Sequence, residues 1–236
     1  VADDDRALLP LLECMTSVAK SIGPGFMEYA DSVFKRCLQI VQDQVLLAAT
    51  VQQCVETSIR DQQQASSAAV ISEADLRIMV AQAYDCGSAD FAVCALELIG
   101  GMAEGLGSSL EALIASAPNC LNLFVEAMRH PSSDVRQSAF ALAGDLFTGC
   151  FKIAAPAIPS MIKAIGQNFN PSFNAVCNNA VWCLGEIALK IPLAGAHLLT
   201  GQLFAKLINL MVAAKQNSLR ENSAIAIGRI ILSLVA

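Results

Sequence analysis

The sequence predicts an all-α fold, a HEAT-repeat solenoid in which antiparallel helix pairs stack into a right-handed superhelix. Runs of small and aliphatic residues around Gly144, Gly185 and Gly228 align with one another, and each glycine is followed by a charged residue. The three glycines are 41 and 43 residues apart, and a more distant copy surrounds Gly100, 44 residues before Gly144. A helical period in the low forties is typical of HEAT or armadillo repeats.

The composition also favours a stacked array of helices. Hydrophobic residues make up 55% of the 236 residues and charged residues only 15%, which suits inner helices that contact neighbours on several sides. The last residues, 229–236, are still apolar and show no polar capping unit. We therefore expect a single array over 1–236 that is part of a longer solenoid.

The first elements along the chain are a lone helix and a long helix pair. Residues 4–22 predict one amphipathic helix with no partner before it, and Gly23-Pro24-Gly25 ends it. The first pair is expected within 26–107. Its helices are predicted at 26–59 and 89–106, joined by a small and polar stretch at 61–75.

Three regular pairs follow within 108–150, 151–192 and 193–236. Proline or short polar residues mark the turn inside each pair, as tight helix–helix connections require. Ser133 or Asp134 is expected to cap the helix that follows it. The helices are predicted at 110–129 and 134–151, at 154–168 and 172–190, and at 194–215 and 219–235.

The charge of the chain excludes some partners and favours others. The net charge is −6, with a pI of about 4.9. A nucleic-acid surface needs a basic stripe, so direct nucleic-acid binding is not expected. The acidity suits a basic partner, although ordinary solubility explains it equally well. No run of eighteen apolar residues is free of polar ones, so we expect no membrane span.

The cysteines and histidines do not form a recognisable reactive or metal-binding pattern. Nine cysteines occur without a C-x-x-C pair, mostly in apolar helical runs, which predicts small buried thiols in the reducing cytosol or nucleus. His130 and His197 lack ligand partners at metal-site spacing and are expected to be exposed and structural. The glycines of 100–107 follow no strand and precede no Gly-Lys-Ser/Thr, so they are not a phosphate loop. We expect no catalysis, no metal and no cofactor.

One column of side chains on the second helix of each pair predicts a binding face. Trp182 is the only tryptophan of the chain and lies four residues after Asn178, on a different helix face from the apolar stripe. Carboxylates, an indole and amides in such a column would bind an extended basic and apolar peptide. The column comprises Val93, Glu97 and Glu104, then Gln137 and Asp145, then Asn178 and Trp182, and then Asn222 and Ile225.

Simpler interpretations of the same residues remain open at this point. Trp182 could fill space between two helices, because tryptophan is usually largely buried. The acids could form a solvated face. Asn178 and Asn222 could belong to an asparagine ladder that bonds neighbouring repeats and satisfies buried polar groups.

Motifs along nearly the whole chain resemble the transportin, or karyopherin-β2, family of importin-β-type nuclear import receptors. The match is interrupted mainly at 60–90, and Cys-Asn-Asn-Ala-x-Trp at 177–182 is its most specific piece. The other matching segments are ECMTSVA at 13–19, GFMEY at 25–29, RC at 36–37, GMAEGLG at 101–107, VRQS at 135–138, GDL at 144–146, NPSF at 170–173, 176–186 and ENSAI at 221–225.

The resemblance implies a part of the arch that binds nuclear localisation signals of the proline-tyrosine class on its concave side. It implies that Trp182 and the acids Glu97, Glu104 and Asp145 contact the basic or hydrophobic part of the signal. Asn178, Asn222 and Ile225 would line the same site. Glu97 stands where the family has aspartate, and Asn174 stands where it has isoleucine. The second departure weakens the expected apolar lining.

The resemblance also sets the expected partners and location. Such receptors shuttle between cytoplasm and nucleus and meet the small GTPase Ran and nucleoporins. The family's Ran-binding arch and its proline-tyrosine site would lie upstream of Val1. The main alternative is a HEAT-type scaffold that assembles other protein subunits and recognises no peptide signal.

Overall fold

The computed structural model describes residues 7–64, 88–191 and 193–235, and within these ranges it contains helices and no strand. Short 3₁₀ turns at Gly23–Phe26, Gly107–Leu110, Ala155–Ala157 and Leu193–Leu199 join some of them. The α-helices are α1 Leu8–Ile22, α2 Met27–Gln64, α3 Ser88–Leu106, α4 Glu111–Ser116, α5 Cys120–Ala127, α6 Ser133–Gly149, α7 Phe151–Ala154, α8 Ile158–Gln167, α9 Asn174–Lys190, α10 Gln202–Ala213 and α11 Asn217–Val235.

The helices form two rows, which confirms the predicted all-α solenoid. In the inner row α1, α3, α6, α9 and α11 pack side by side in that order. The outer row contains α2, α5 and α8, and each of these packs against the inner helix that follows it, as α10 packs against α11. Each inner helix between two others is therefore covered on three sides, and only its fourth side is left open for a ligand.

The core lies along the inner row. On α9 most residues are buried, including Cys177, Cys183 and Leu184, which are fully excluded from solvent. Small residues such as Ala143 and Ala180 let neighbouring helix backbones approach closely. Because burial covers all but one narrow stripe of each middle helix, the few polar side chains on that stripe are held in fixed positions on a rigid base.

Hydrogen bonds between neighbouring repeats link residues about one period apart. Asn168 Nδ2 donates to the Met128 carbonyl, 40 residues away, at 3.2 Å. Asn179 Nδ2 donates to the Gln137 carbonyl, 42 residues away, at 3.1 Å. Lys190 Nζ donates to the Thr148 carbonyl, again 42 residues away, at 2.8 Å. The repeat period read from the glycines is thus also the spacing of contacts in space.

The outer helices are shorter than the sequence predicts. A continuous helix was expected over 110–129, but the chain breaks between α4 and α5 at Ala117, whose ψ of 79° lies outside the helical region and which precedes Pro118. The helix expected over 154–168 is divided by the 3₁₀ turn around Pro156. The helix expected over 194–215 begins only at Gln202, after Gly201 with a φ of 71°. Periodicity alone did not resolve these interruptions.

The long helix α2 runs past its predicted end at 59 to Gln64. The polar connection expected at 61–75 is therefore helical over 61–64, and the remainder lies outside the described residues. Residues 4–6 of the first predicted helix also lie outside them.

The turn before α6 differs from the prediction in two respects. Neither Ser133 nor Asp134 caps the helix, because Ser132 occupies the N-cap position and makes no side-chain capping bond. His130 was expected to be exposed but is 2% exposed. Burial lowers the pKa of His130 to about 4, against an opposing hydrogen bond with the Gln44 backbone, and Arg136 lowers it further.

Arg136 secures this turn in place of a cap. Its Nη1 donates to the carbonyls of His130 at 2.7 Å and of Pro131 at 2.8 Å. Its guanidinium lies 5.1 Å from the ring centre of Phe173 in the next repeat, a cation–π distance. His197 is exposed, as expected.

Most of the described cysteines are buried free thiols, but two are not. Cys14 and Cys54 are exposed, contrary to expectation, and Cys86 lies outside the described residues. Burial raises the pKa of Cys94, Cys120, Cys150 and Cys177 to about 11, so these thiols are protonated at neutral pH and are poor nucleophiles.

One stretch, Ala89–Ser116, is long and apolar enough to cross a membrane, with a mean hydropathy of 1.3. Of its most apolar window, 61% is buried within the fold. This stretch includes α3, which packs against α1, α2 and α6, so its apolar character matches the contacts that a core helix makes.

Candidate peptide-binding face

The nine side chains of the predicted column lie on four inner helices, and we call them the stripe. Val93, Glu97 and Glu104 lie on α3, and Gln137 and Asp145 lie on α6. Asn178 and Trp182 lie on α9, and Asn222 and Ile225 lie on α11. Glu97, Glu104 and Ile225 are exposed, and the other six are half-buried. Among the described residues, no three His, Cys, Asp or Glu side chains are grouped to hold a metal ion.

Trp182 lies against the backbone of the preceding inner helix. A Cβ added at Gly144 of α6 would come within 2.6 Å of the indole atoms Cε3, Cζ3 and Cη2. The six-membered ring therefore occupies the space that any other residue at position 144 would fill. Trp182 is half-buried, so it is neither sealed in the core nor projecting freely. The next residue of α6 is Asp145, whose own carboxylate lies toward Gly100 of α3.

Asp145 is held in a similar way over Gly100 of α3. A Cβ at Gly100 would lie 2.8 Å from Asp145 Oδ2. Within the described part of the chain, its carboxylate accepts no hydrogen bond. The pKa of Asp145 is raised to about 7, chiefly by burial and also by the nearby Glu104 and Glu186, while Lys20 opposes them. Once it is ionised, a half-buried carboxylate without a donor is a strong acceptor for a cationic ligand.

The other two acids of the stripe already have partners. Glu104 Oε1 accepts from Lys20 Nζ of α1 at 2.7 Å, in an ion pair whose side chains are 45% and 44% exposed. Glu97 Oε1 accepts from Ser138 Oγ of α6 at 3.3 Å. Solvent-exposed pairs of this kind contribute little energy, so a ligand cation can replace Lys20 at small cost.

The amides of the stripe bond to each other across the repeats. Asn222 Nδ2 donates to Asn178 Oδ1 at 3.0 Å, as the ladder alternative predicts. The Gln137 carbonyl accepts from Asn179, so the backbone of Gln137 is also used internally. The Oδ1 atom of Asn174, at the start of α9, is buried without a hydrogen-bond partner among the described residues. The amides Asn178 and Asn222 therefore satisfy each other, whereas Asp145 is the acid of the stripe that has no donor among the described residues.

A neighbouring network was missed by the sequence analysis. Glu186 follows Gly185 on α9 and is buried, and its Oε1 accepts from Arg229 Nη1 of α11 at 2.6 Å. Its Oε2 accepts from Thr148 Oγ1 at 3.3 Å. The alignment on the glycines contained this signal, because it places Asp145, Glu186 and Arg229 at one register position in three successive repeats.

Similarity to curated proteins extends over almost the whole chain. Transportin-1 of Homo sapiens is 35% identical over 97% of the chain, and Transportin-1 of Oryza sativa subsp. japonica is 32% identical over 98%. Importin subunit beta-2 of Schizosaccharomyces pombe is 29% identical over 98%. The chain is homologous to a segment of the transportins. No model of a protein family matches it.

The match covers only part of each transportin relative. The chain spans 22% of the length of the human transportin and 23% of the rice and fission-yeast proteins. The resemblance to the transportin family given by the sequence motifs is thereby confirmed.

Proposed function

We propose that this chain is a cargo-binding segment of a nuclear import receptor and that the stripe binds the basic or hydrophobic part of a proline-tyrosine-class localisation signal. The carrying observation is the pair formed by Trp182 and Asp145. The half-buried indole offers an apolar surface over Gly144 of α6, and the next residue of α6 is a carboxylate that has no donor among the described residues. A peptide with an Arg or Lys next to an apolar residue satisfies both groups at once.

The two ends of the stripe would contribute differently. Glu97 and Glu104 extend the negative charge toward α1, where Lys20 is the only cation that pairs with either acid among the described residues. Ile225 is 52% exposed and would contact an apolar residue at the other end. Between these ends the peptide backbone would run along Val93, Gln137, Asn178 and Asn222. The hydrogen bond between Asn222 and Asn178 would either open to bond the peptide or stay closed with a water bridging to it.

The rest of the receptor would supply the other partners. In the full-length protein we expect Ran, nucleoporins and the proline-tyrosine subsite to lie mostly outside this segment, with the receptor shuttling between cytoplasm and nucleus. This segment would then hold cargo contacts without the nucleotide-controlled release. It is expected to work without a cofactor.

A binding measurement on the full-length receptor tests the proposal. A fluorescent proline-tyrosine-class signal peptide with a basic and hydrophobic segment is titrated against wild type and Trp182→Ala, and the change should weaken binding by about 2 kcal/mol because an aromatic anchor is lost. Tyr29→Ala is the matched control, since Tyr29 is an aromatic residue that is 54% exposed on α2 of the outer row. Equal affinity of all three proteins would favour the scaffold alternative.

A further inference from the structure

Glycines of the inner row fall into two groups according to what occupies the space beside them. At Gly105 and Gly149 a Cβ would meet backbone carbonyls of the neighbouring helix, those of Ala19 and Ala103. These glycines allow two backbones to pack closely. At Gly100 and Gly144 a Cβ would instead meet a side chain of the stripe, Asp145 or Trp182.

The second group has a regular place in the repeat. Gly100, Gly144, Gly185 and Gly228 share one register in the sequence alignment. A side chain from the following inner helix lies over each of the first three, with Arg229 Nη1 3.1 Å from a Cβ built at Gly185. A Cβ at Gly228 of α11 meets nothing within 4 Å. At this position of the repeat, the glycine backbone of one inner helix is therefore covered by a side chain of the next inner helix wherever one follows.

We propose that Gly144 and Gly100 are positioning residues of the peptide-binding stripe, each providing a bare stretch of helix backbone on which Trp182 or Asp145 lies. The inference rests on the proposed function, since it assigns these glycines a role in peptide capture. The absence of a side chain lets the indole lie flat against α6 instead of projecting from α9. The same absence lets the Asp145 carboxylate sit low between α3 and α6.

A methyl group at Gly144 or Gly100 would displace the side chain that lies over the glycine more than it would disturb the helix. Neither glycine has a positive φ, and alanine is a better helix former than glycine, so the local helix tolerates the change. The indole is a rigid ring with three atoms in the way, and it cannot bend aside as a flexible chain end can. Gly144→Ala should therefore force Trp182 into another rotamer and expose more of it.

Intrinsic fluorescence reports this movement without any ligand, because Trp182 is the only tryptophan of the chain. The emission maximum of the isolated Gly144→Ala chain should lie at a longer wavelength than that of wild type, because the indole becomes more hydrated. Gly228→Ala is the matched control, since it lies in the same register with open space around its Cβ, and its emission should equal that of wild type. An unshifted emission in Gly144→Ala would overturn the assignment of Gly144.

Peptide binding to the full-length receptor then tests the functional part in a double-mutant cycle. Gly144→Ala should lower the affinity for the signal peptide about tenfold when Trp182 is present, and should leave the affinity unchanged when Trp182 is already replaced by alanine. Gly144→Ala with full affinity and a shifted emission would overturn the positioning role. If Trp182→Ala itself has no effect, the proposed function fails, whereas the emission shift still decides where the ring lies.

Gly100→Ala gives an independent arm through Asp145. Raising the carboxylate off α3 should expose it to water and move the pH midpoint of peptide binding to lower pH, while Gly228→Ala leaves that midpoint unchanged. The charged groups that act on the pKa of Asp145 are Glu104, Glu186 and Lys20, the buried Cys183 thiol is also coupled to Asp145, and none of them is altered by the substitution. A midpoint that stays at the wild-type value in a Gly100→Ala receptor with native circular dichroism would overturn the assignment of Gly100.

Discussion

Asp145 and Glu186 occupy the same position in neighbouring repeats, directly after Gly144 and Gly185, yet their surroundings are opposite. Asp145 accepts no hydrogen bond within the described structure, and its pKa is raised to about 7. Glu186 is more deeply buried but accepts from Arg229 at 2.6 Å and from Thr148 at 3.3 Å. The first carboxylate is half-buried without a donor among the described residues, and the second is satisfied inside the fold.

The burial of Asp145 and the charge of Glu104 contribute to this difference, and so does the residue that the next repeat places at this register. The residue one repeat after Asp145 is Glu186, a like charge that disfavours ionisation of Asp145. The residue one repeat after Glu186 is Arg229, an opposite charge that completes a pair. The residue at the same register of the next repeat therefore helps to decide whether a carboxylate in this array is paired or left without a partner. Its own residue type does not decide between the two.

The largest expected effect comes from removing the partner of the satisfied carboxylate. Arg229→Ala leaves Glu186 buried beside Asp145 without its cation, and should lower the free energy of unfolding by about 3 kcal/mol. Urea denaturation followed by circular dichroism measures this. Adding Glu186→Gln to Arg229→Ala should restore most of the loss. A loss of less than 0.5 kcal/mol, roughly the size of a surface-pair effect, would show that the two carboxylates are less different than described.

Removing the charge of Asp145 should stabilise the protein, whereas removing the cation that pairs with Glu186 should destabilise it. The folded pKa of Asp145, about 7, lies above its unfolded value, so its contribution to stability is fully present below about pH 4 and is lost as pH rises to 7. The free energy of unfolding of Asp145→Asn, measured by urea denaturation, should therefore exceed that of wild type by about 2 kcal/mol at pH 8. At pH 4 the two proteins should differ little. A pH-independent difference between the two proteins would contradict the raised pKa.

Peptide affinity should depend on pH through the same group. A basic peptide favours ionised Asp145, so binding should strengthen about tenfold between pH 6 and pH 8 as the carboxyl with a pKa of about 7 loses its proton. Fluorescence anisotropy of the full-length receptor at constant ionic strength measures the change. In Asp145→Asn the affinity should be lower at pH 8 and nearly flat with pH. A wild-type profile that is also flat would remove Asp145 from the peptide site.

The smallest effect is expected at the exposed pair. Lys20→Ala frees Glu104 for the ligand, and because both side chains are nearly half exposed, stability should change by less than about 0.5 kcal/mol. Affinity for the basic peptide should rise by about twofold, most clearly at low salt. Lys35→Ala is the control, since Lys35 pairs with Asp31 on α2 away from the stripe. Because Lys20 also lowers the pKa of Asp145, the comparison is made at pH 8 or above, where Asp145 is mostly ionised, and a weaker peptide affinity in Lys20→Ala there would show that Lys20 itself contacts the ligand.

The sequence was a good guide to the helices of the inner row and a poorer one to the outer row. The helices predicted at 89–106, 172–190 and 219–235 correspond to α3, α9 and α11 within two residues at each end. These helices are buried on several sides, so their apolar pattern is continuous. The outer helices expose one side and contain prolines, and their interruptions at Pro118 and Pro156 depend on local backbone geometry that periodicity does not encode.

The sequence was sufficient to place the residues of the predicted stripe on the inner row, but it did not indicate their contacts. Helical spacing from Trp182, Asp145 and Glu104 was sufficient to place these side chains on the inner row, and all three are at least partly exposed there. Nothing in the spacing indicated that Lys20, 84 residues before Glu104, would pair with it. The burial of His130 was also missed, because its enclosure depends on Arg136 and on the packing of the turn.

The sequence by itself determined the repeat length, the helical class and the residue types at each register, because these follow from periodicity along one chain. Only the tertiary structure decided which of those residues remain partly exposed and unpaired. The distance between two helices, and the side chain that occupies the space beside a glycine, are properties of helix packing. Trp182 on Gly144 and Asp145 on Gly100 show this most directly. In each case two residues about one repeat apart define a single surface feature that neither residue specifies alone.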